Sequence, residues 1–271
     1  MAETAVGVTL GAGVAALAGV SETPRLDAEL LLCSALGIDR AQLLIDRDEP
    51  VGGTEGKRFW ALVDRRAASE PVAYILGRRA FRHLELDVDR RVLIPRPETE
   101  LLVEVGLSLP SGASVVDVGT GSGAVALALK DERPDLRVIG VDVSPGAVSV
   151  ARANATRLGL DVRVFAGDLL AGVGRVDAVL ANLPYVEDDA TLPPDVVRFE
   201  PPGALFGGRD GLDLVRRLIT QASSELLALE IAPDQAAPVA AVVAGTGYVR
   251  VEVLRDLAGR ERVVVGRERR S

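Results

Sequence analysis

The sequence predicts an α/β protein: a largely parallel sheet covered by helices, ending in antiparallel strands, behind a small N-terminal helical bundle. Three observations lead there. From Ser114 onward, short apolar runs alternate with stretches of helical spacing, the pattern of a parallel sheet with helices on both faces. Near the C-terminus two apolar runs, Val249–Leu254 and Arg262–Val265, are joined only by Asp256–Arg260. That link is too short for a parallel crossover, so the sheet ends antiparallel. The first 79 residues carry helical spacing throughout.

The elements follow in order. Ala12, Ala15, Ala16 and Gly19 set small residues near helical spacing. Ser21-Glu22-Thr23-Pro24 reads as a helix start with proline in the first turn. Leu26, Leu30, Leu31 and Cys33–Leu36 then form an apolar stripe that stops at Gly37. Ala41–Ile45, Glu55–Ala68 and Val72–Leu76 complete a bundle over residues 1–79, with Trp60, Tyr74 and Cys33 expected in its core. From Phe81 the period changes. Phe81, Leu84, Leu86 and Val88, then Val92–Ile94, suggest a β-hairpin linker over residues 80–95, turning near Asp89-Arg90. Pro95-Arg96-Pro97 stops it, and Glu98–Leu109 has helical spacing.

The region 96–271 carries the βα repeat. Expected strands are Val115–Val118, Val138–Val141, Val162–Phe165, Ala178–Leu180 and Leu226–Glu230. Expected helices are Ala124–Asp131, Pro145–Leu158, Leu212–Ser223 and Gln235–Val243. Four strand ends are polar: Asp117 next to a glycine loop, Asp142, Asp168 and Asn182.

Composition bounds the function. The 271 residues are 48% hydrophobic and 26% charged, with net charge −8 and pI about 4.9. Electrostatic nucleic-acid binding needs a basic face, so no direct nucleic-acid partner is expected. One cysteine and one histidine, Cys33 and His83, exclude a disulfide within the chain and argue against a zinc site or a histidine-based triad. The apolar N-terminal stretch Val6–Val20 lacks a basic flank and is too short to span a bilayer. A cytoplasmic protein with no membrane partner is expected.

The loop Gly119-Thr120-Gly121-Ser122-Gly123 lies between a strand and a helix, where glycines allow a tight turn and close approach of a ligand. Asp142 ends the next strand, where an acid binds ribose hydroxyls. The pair points to an adenosine-type cofactor. Gly119-x-Gly121-x-x-Ala124 loosely satisfies a dinucleotide fingerprint, but the acids Asp117 and Asp168 fit a different cofactor. Asp117-x-Gly119-x-Gly121-x-Gly123 resembles the S-adenosylmethionine (SAM) loop of Rossmann-like methyltransferases.

The strand ending at Asn182 presents Asn182-Leu183-Pro184-Tyr185: an amide, a rigid turn and an aromatic ring. This resembles the Asn-Pro-Pro-Tyr motif of methyltransferases acting on amide or exocyclic amine nitrogens. Further blocks are similar to the protein-(glutamine-N5) methyltransferase family of peptide-chain release factors: Pro24–Leu31, Glu70–Gly77, Leu93–Glu100, Asp117–Ala124, Val197–Pro201 and Asp210–Leu212. The resemblance spans nearly the whole chain. It implies a SAM-dependent enzyme that methylates the glutamine of the Gly-Gly-Gln tripeptide in bacterial release factors. It implies a Rossmann-like methyltransferase domain, with the helical bundle docking the substrate. It places Asp117, Gly119–Gly123, Asp142, Asp168, Leu169 and Asn182 around SAM, and Asn182, Leu183, Pro184 and Tyr185 around the glutamine.

The residues suggest how. An amide nitrogen is a poor nucleophile, so the site must align it with the methyl group and accept its hydrogens. The Asn182 side-chain oxygen and the residue-183 carbonyl can each accept one, stabilising charge that develops on nitrogen. Tyr185 can pack on the flat amide. Leu183 departs from the family's proline. The backbone carbonyl survives, but the ring that fixes φ is lost, which predicts a less rigid loop. The connection Ser223–Leu226 is shorter than the family's glycine-containing loop. Arg96 and Glu98 are candidates to pair with each other, and Glu200 either orders the loop after Asn182 or meets substrate. Two other readings stay open: N-methylation of a different acceptor, such as a ribosomal-protein glutamine or an adenine amino group, and an inactive SAM-binding scaffold.

Overall fold

The computed structural model describes residues 4–268. The chain forms two compact units: residues up to Arg78 with Leu192–Phe199, and Arg79–Thr191 with the chain from Glu200 onward.

The first unit is helical. A short strand β1 (Thr4–Ala5) leads into α1 (Val6–Leu17), followed by α2 (Pro24–Leu36), α3 (Arg40–Ile45), strand β2 (Pro50–Val51), α4 (Gly53–Ala67) and α5 (Val72–Leu76). Pro24 occupies the first turn of α2 as expected, and Gly37 caps it in the left-handed region at φ 73°. The antiparallel pairing of β1 with β2 has no signal in the sequence. Leu17, Leu31, Leu32, Phe59 and Val63 fill the core. The ring of Phe59 lies so close to Gly13 that a Cβ there would sit 2.5 Å from it. Cys33 is buried in the same core. Tyr74 is buried, whereas Trp60 is partly exposed and packs against the core edge. A buried ion pair, Arg66 to Asp27 at 2.7 Å, ties α4 to α2.

The hairpin differs from the sequence reading. Its strands are β3 (Arg78–Phe81) and β4 (Leu84–Asp87), and it turns at Arg82-His83, not at Asp89-Arg90. Arg82 makes the turn at φ 52°, a conformation rare outside glycine and unmarked by residue type. Its guanidinium is anchored by Glu132 and Glu104. Val92–Ile94 is not a strand; it is loop, with Val92 and Ile94 buried.

A 3-10 turn (Pro97–Thr99) opens α6 (Glu100–Leu107). The βα region runs β5 (Ser114–Val118), α7 (Ala124–Glu132), β6 (Arg137–Asp142), α8 (Pro145–Leu158), β7 (Arg163–Ala166) and β8 (Ala178–Ala181). It continues with α9 (Pro194–Phe199), which the sequence reading missed and which belongs to the first unit. Then come α10 (Asp213–Gln221), β9 (Leu226–Glu230), α11 (Ala236–Ala244), β10 (Arg250–Arg255) and β11 (Glu261–Arg267).

The seven strands lie in the order β10-β11-β9-β8-β5-β6-β7. The strands β5 to β9 pair parallel with one another, and β11 pairs antiparallel with both β9 and β10. Successive strand residues face opposite cores. Val115, Leu180, Val263 and Val265 pack with α6, α7 and α8. Val116, Val179 and Val264 pack with α10 and α11. This is the period-2 alternation of a sheet covered twice. The strand order reverses at β5, which has β8 on one side and β6 on the other. In such sheets ligands bind beyond the carboxyl ends of the strands at that point. Among the described residues, no helix is long and apolar enough to cross a membrane.

Leu180 is fully buried at the centre of this sheet. We expect Leu180→Ala to lose roughly 2–5 kcal/mol in denaturant unfolding of the sheet-containing unit.

Candidate active site

The carboxyl ends of β5, β6 and β8 open onto a cavity of about 350 Å³. It collects most of the residues the sequence singles out. Asp117, Gly119, Thr120 and Gly121 come from the end of β5, and Asp142 from the end of β6. Asp168 and Leu169 follow β7, and Asn182 and Pro184 follow β8. Ser122, Gly123, Leu183 and Tyr185 do not line it. A larger depression of about 1110 Å³ lies at the opposite strand ends, lined by Ser108, Asp177 and Glu225 among others. It contains none of the singled-out residues.

The glycine loop is built by backbone that only glycine adopts easily: φ is 73° at Gly119, 56° at Gly121 and 85° at Gly123. Gly123 caps α7, and a Cβ there would meet Leu127 at 2.8 Å. Ser122 is buried, and its carbonyl accepts from the Asn154 side chain at 3.0 Å. These two residues therefore shape the loop from behind. Asp117 is buried beneath it. Its Oδ2 accepts the Thr120 hydroxyl at 2.6 Å and the Ala126 N–H at 3.2 Å. Burial nevertheless pushes its carboxyl up from 3.8 to about 6. Asp142 accepts from Gly121 N–H at 2.9 Å and Ser144 N–H at 2.8 Å; burial outweighs both and raises its pKa.

The chemistry of the donor set decides between the two adenosine cofactors. A pyrophosphate needs free N–H groups at the helix start. Here the Gly121 and Ala126 N–H groups already serve carboxylates. Three acids, with Arg91 and Arg96, around a cavity lined by Val118, Val125, Val141 and Leu214 suit a nucleoside-bearing ligand that carries cationic groups and a carboxylate instead. That is the charge pattern of SAM. Asp168 lies at the cavity edge, and its carboxylate is held by Arg217 at 2.6 Å. Leu169 has φ 53°, a strained value for leucine, which turns this loop into the cavity wall.

The Asn182–Tyr185 segment is held on every side. The Asn182 Nδ2 donates to Thr99 Oγ1 at 3.1 Å, so Oδ1 is the remaining polar end of a cavity-lining amide. Leu183 is 5% exposed, and its side chain packs over Gly119, where a Cβ would stand 3.1 Å from it. This packing constrains residue 183 in a way the sequence does not show. The Tyr185 carbonyl accepts from Gln235 Nε2 at 2.9 Å. Gly207 crosses beneath: a Cβ there would lie 2.3 Å from the Pro184 carbonyl oxygen. Tyr185 turns away from the cavity toward the interior, where burial and the nearby Glu230 carboxyl push its phenol up to about 12.

Arg96 and Glu98 do not pair with each other. Arg96 bonds Glu200, which is buried and whose Oε2 accepts the Ile94 N–H at 3.1 Å. Glu200 thus straps residues 94–96 over the cavity, and Arg96 becomes one of its cationic walls. Glu98 instead faces Arg260 at 3.3 Å and Arg262 at 3.5 Å. Glu187, Asp188 and Asp189 are exposed.

Two site residues escaped the sequence reading as individuals. Thr99 orients Asn182 across 83 positions of chain. Glu230 ends the otherwise apolar strand Leu226–Glu230 and is buried beside the same network. The usable signal was its place: an acid ending a buried strand, as Asn182 ends β8.

Residues 9–77 match the family model described as the PrmC N-terminal domain, and residues 89–198 match the methyltransferase small domain. A release factor glutamine methyltransferase of Moorella thermoacetica is 44% identical over 269 residues, covering 93% of this chain and 95% of that protein. One from Xylella fastidiosa is 43% identical over 268 residues, covering 94% and 97%. A chain of the E. cuniculi Mtq2-Trm112 complex, described as responsible for methylation of the eRF1 translation termination factor, superposes with TM-score 0.50 at 20% identity. It covers 66% of this chain and 99% of that one, and shows the shared fold.

The Asp117 carboxyl carries a stability consequence. Its folded pKa lies above its unfolded value, so the folded state holds the proton more tightly. Stability is lost as pH rises from 3.8 through about 6, amounting to roughly 3 kcal/mol at neutral pH. Asp117→Asn should therefore raise Tm at pH 7.5, and the gain should vanish toward pH 4 in scanning calorimetry. Gly207→Ala should lower both Tm and turnover, because a Cβ there would lie 2.3 Å from the Pro184 and 2.4 Å from the Gly211 carbonyl oxygen; scanning calorimetry and a turnover assay check this.

Proposed function

The chain belongs to the release factor glutamine methyltransferase family, and from that premise we propose that it transfers a methyl group from SAM to the side-chain nitrogen of the Gly-Gly-Gln glutamine in bacterial peptide-chain release factors. The observation that carries this reading is the amide of Asn182. It lines the cavity with its Nδ2 committed to Thr99, which leaves an oxygen to meet the hydrogens of another amide.

SAM supplies an activated methyl group, so the chain needs no nucleophile of its own. Asp117, Asp142 and Asp168, with Gly119, Thr120, Gly121 and Leu169, are the residues we assign to holding it, and Ser122 and Gly123 shape the loop from behind. Asn182 and the Leu183 carbonyl accept the two amide hydrogens of the glutamine. Both contacts favour a nitrogen whose lone pair faces the methyl, and both strengthen as that nitrogen becomes positive. Pro184 fixes the turn, and Leu183, packed on Gly119, ties the glutamine site to the cofactor loop. The proton lost from nitrogen passes to solvent. Tyr185 acts through the loop it anchors.

The helical unit of residues 1–79 is the substrate-docking module in this reading. The protein works in the cytoplasm, on a protein acceptor and not on nucleic acid, in keeping with its net charge of −8.

Tritium from labelled SAM should enter a release factor and fail to enter one whose Gly-Gly-Gln glutamine is replaced. Label that persists after replacement rejects the acceptor. Asn182→Ala should lower kcat on the order of 100-fold while weakening SAM binding far less, measured by turnover and calorimetry. A fully active Asn182→Ala rejects the mechanism.

A further inference from the structure

Glu230 takes no part in the chemistry described so far, and it is an expensive residue to keep. It is 2% exposed at the end of β9, a strand otherwise made of leucine and alanine. Its Oε2 has no hydrogen-bond partner. A buried acceptor of this kind is destabilising, so its presence calls for a reason. Its place supplies one. The strands β8 and β9 pair parallel with Ala181 opposite Leu229, so the next residues, Asn182 and Glu230, emerge side by side. Thr99 and Tyr185 are among the side chains that act on the Glu230 carboxyl. Thr99 also accepts from Asn182.

We propose that Glu230 is a positioning residue for amide methylation: by accepting from the Thr99 and Tyr185 hydroxyls it fixes which end of the Asn182 amide faces the substrate. The inference rests on the function proposed above. The reasoning is one of hydrogen-bond polarity. A carboxylate only accepts, so it draws the Thr99 hydrogen toward itself. The Thr99 oxygen is then left to accept, which selects Nδ2 of Asn182 and leaves Oδ1 for the incoming glutamine. A neutral group at 230 can donate to Thr99 instead. The Thr99 hydrogen is then free to bond Asn182 Oδ1, the amide turns over, and two NH₂ groups confront each other across the site. The same carboxyl anchors Tyr185, the end of the loop whose residue 183 carries the second acceptor.

The groups facing Glu230 are Thr99, Tyr185, Glu98 and, from β11, Arg262. Arg96 and Glu98 also act on Tyr185. Burial dominates, raising the Glu230 carboxyl from 4.5 to about 7, so it ionises in the range where the enzyme would work.

The test compares wild type, Glu230→Gln, Thr99→Val, Thr99→Ser and the double variant Glu230→Gln/Thr99→Val. Each is assayed for kcat on a release factor, SAM affinity and Tm. Glu230→Gln should lower kcat at least about tenfold, leave the SAM Kd within about twofold, and keep or raise Tm, because a neutral amide replaces a buried carboxyl. Thr99→Val should show the same loss, Thr99→Ser should retain turnover, and the double variant should be no worse than either single one. Wild-type kcat should rise between about pH 6 and 8, and Glu230→Gln should abolish that limb. Wild-type kcat in Glu230→Gln, additive losses, or a loss that follows a fallen Tm overturns the proposal. If the wild type methylates no release factor, the functional reading fails separately. The Asn182 side-chain NH₂ resonances then decide for Glu230: a shift in both Glu230→Gln and Thr99→Val supports it, and unchanged resonances overturn it.

Discussion

The parallel pairing of β5 with β8 is the constraint on which the site depends. Val118 lies opposite Ala181, so the glycine loop and Asn182 leave the sheet as neighbours. Neither needs the other's sequence to be near. Everything else refines this juxtaposition. Leu183 packs on Gly119, Gly207 makes room under Pro184, and Gln235 holds the Tyr185 carbonyl. The next pairing, β8 with β9, adds Glu230 beside Asn182. The switch in strand order at β5 thus does more than open a crevice. It brings a glycine loop, a side-chain amide and a buried acid to one line of strand ends.

That line is electrostatically uneasy. Asp117, Asp142 and Glu230 are carboxyls whose ionised forms are disfavoured by burial. Each would make the fold more stable if it were neutral. Proteins tolerate such positions where function needs them, and the strain at Leu169 belongs to the same class. A cationic cofactor bound there would relieve the acids at the cavity. Glu230 does not line the cavity, so its cost is met by orientation of other groups.

Much of this could be read in the sequence, for definable reasons. Strand and helix alternation survives because both faces of the sheet are covered, so the apolar runs are unbroken. The glycine loop is legible because its backbone angles demand glycine. The family follows from whole blocks of residues, and the comparisons show it. The hairpin turn was missed because Arg82 takes a glycine-like conformation held by Glu132 and Glu104, contacts invisible in a linear reading. Asp89-Arg90 looked like a turn only because it is polar. Arg96 has a charged near neighbour in Glu98, whereas its partner, Glu200, is 104 residues away. At Leu183 the sequence shows a lost ring but not the packing of the side chain on Gly119. Thr99 and Glu230 lay within recognised segments, but their roles arise only when separate segments meet.

The central claim is geometric: an amide nitrogen is held by one side-chain oxygen and one backbone carbonyl at the end of β8. A crystal structure with the demethylated cofactor and a Gly-Gly-Gln peptide tests it most directly. The account predicts the glutamine nitrogen within hydrogen-bonding distance of both Asn182 Oδ1 and the Leu183 carbonyl oxygen, with the Asn182 Nδ2 still on Thr99. A glutamine bound through other groups, or an Asn182 amide turned to present its nitrogen, would contradict it.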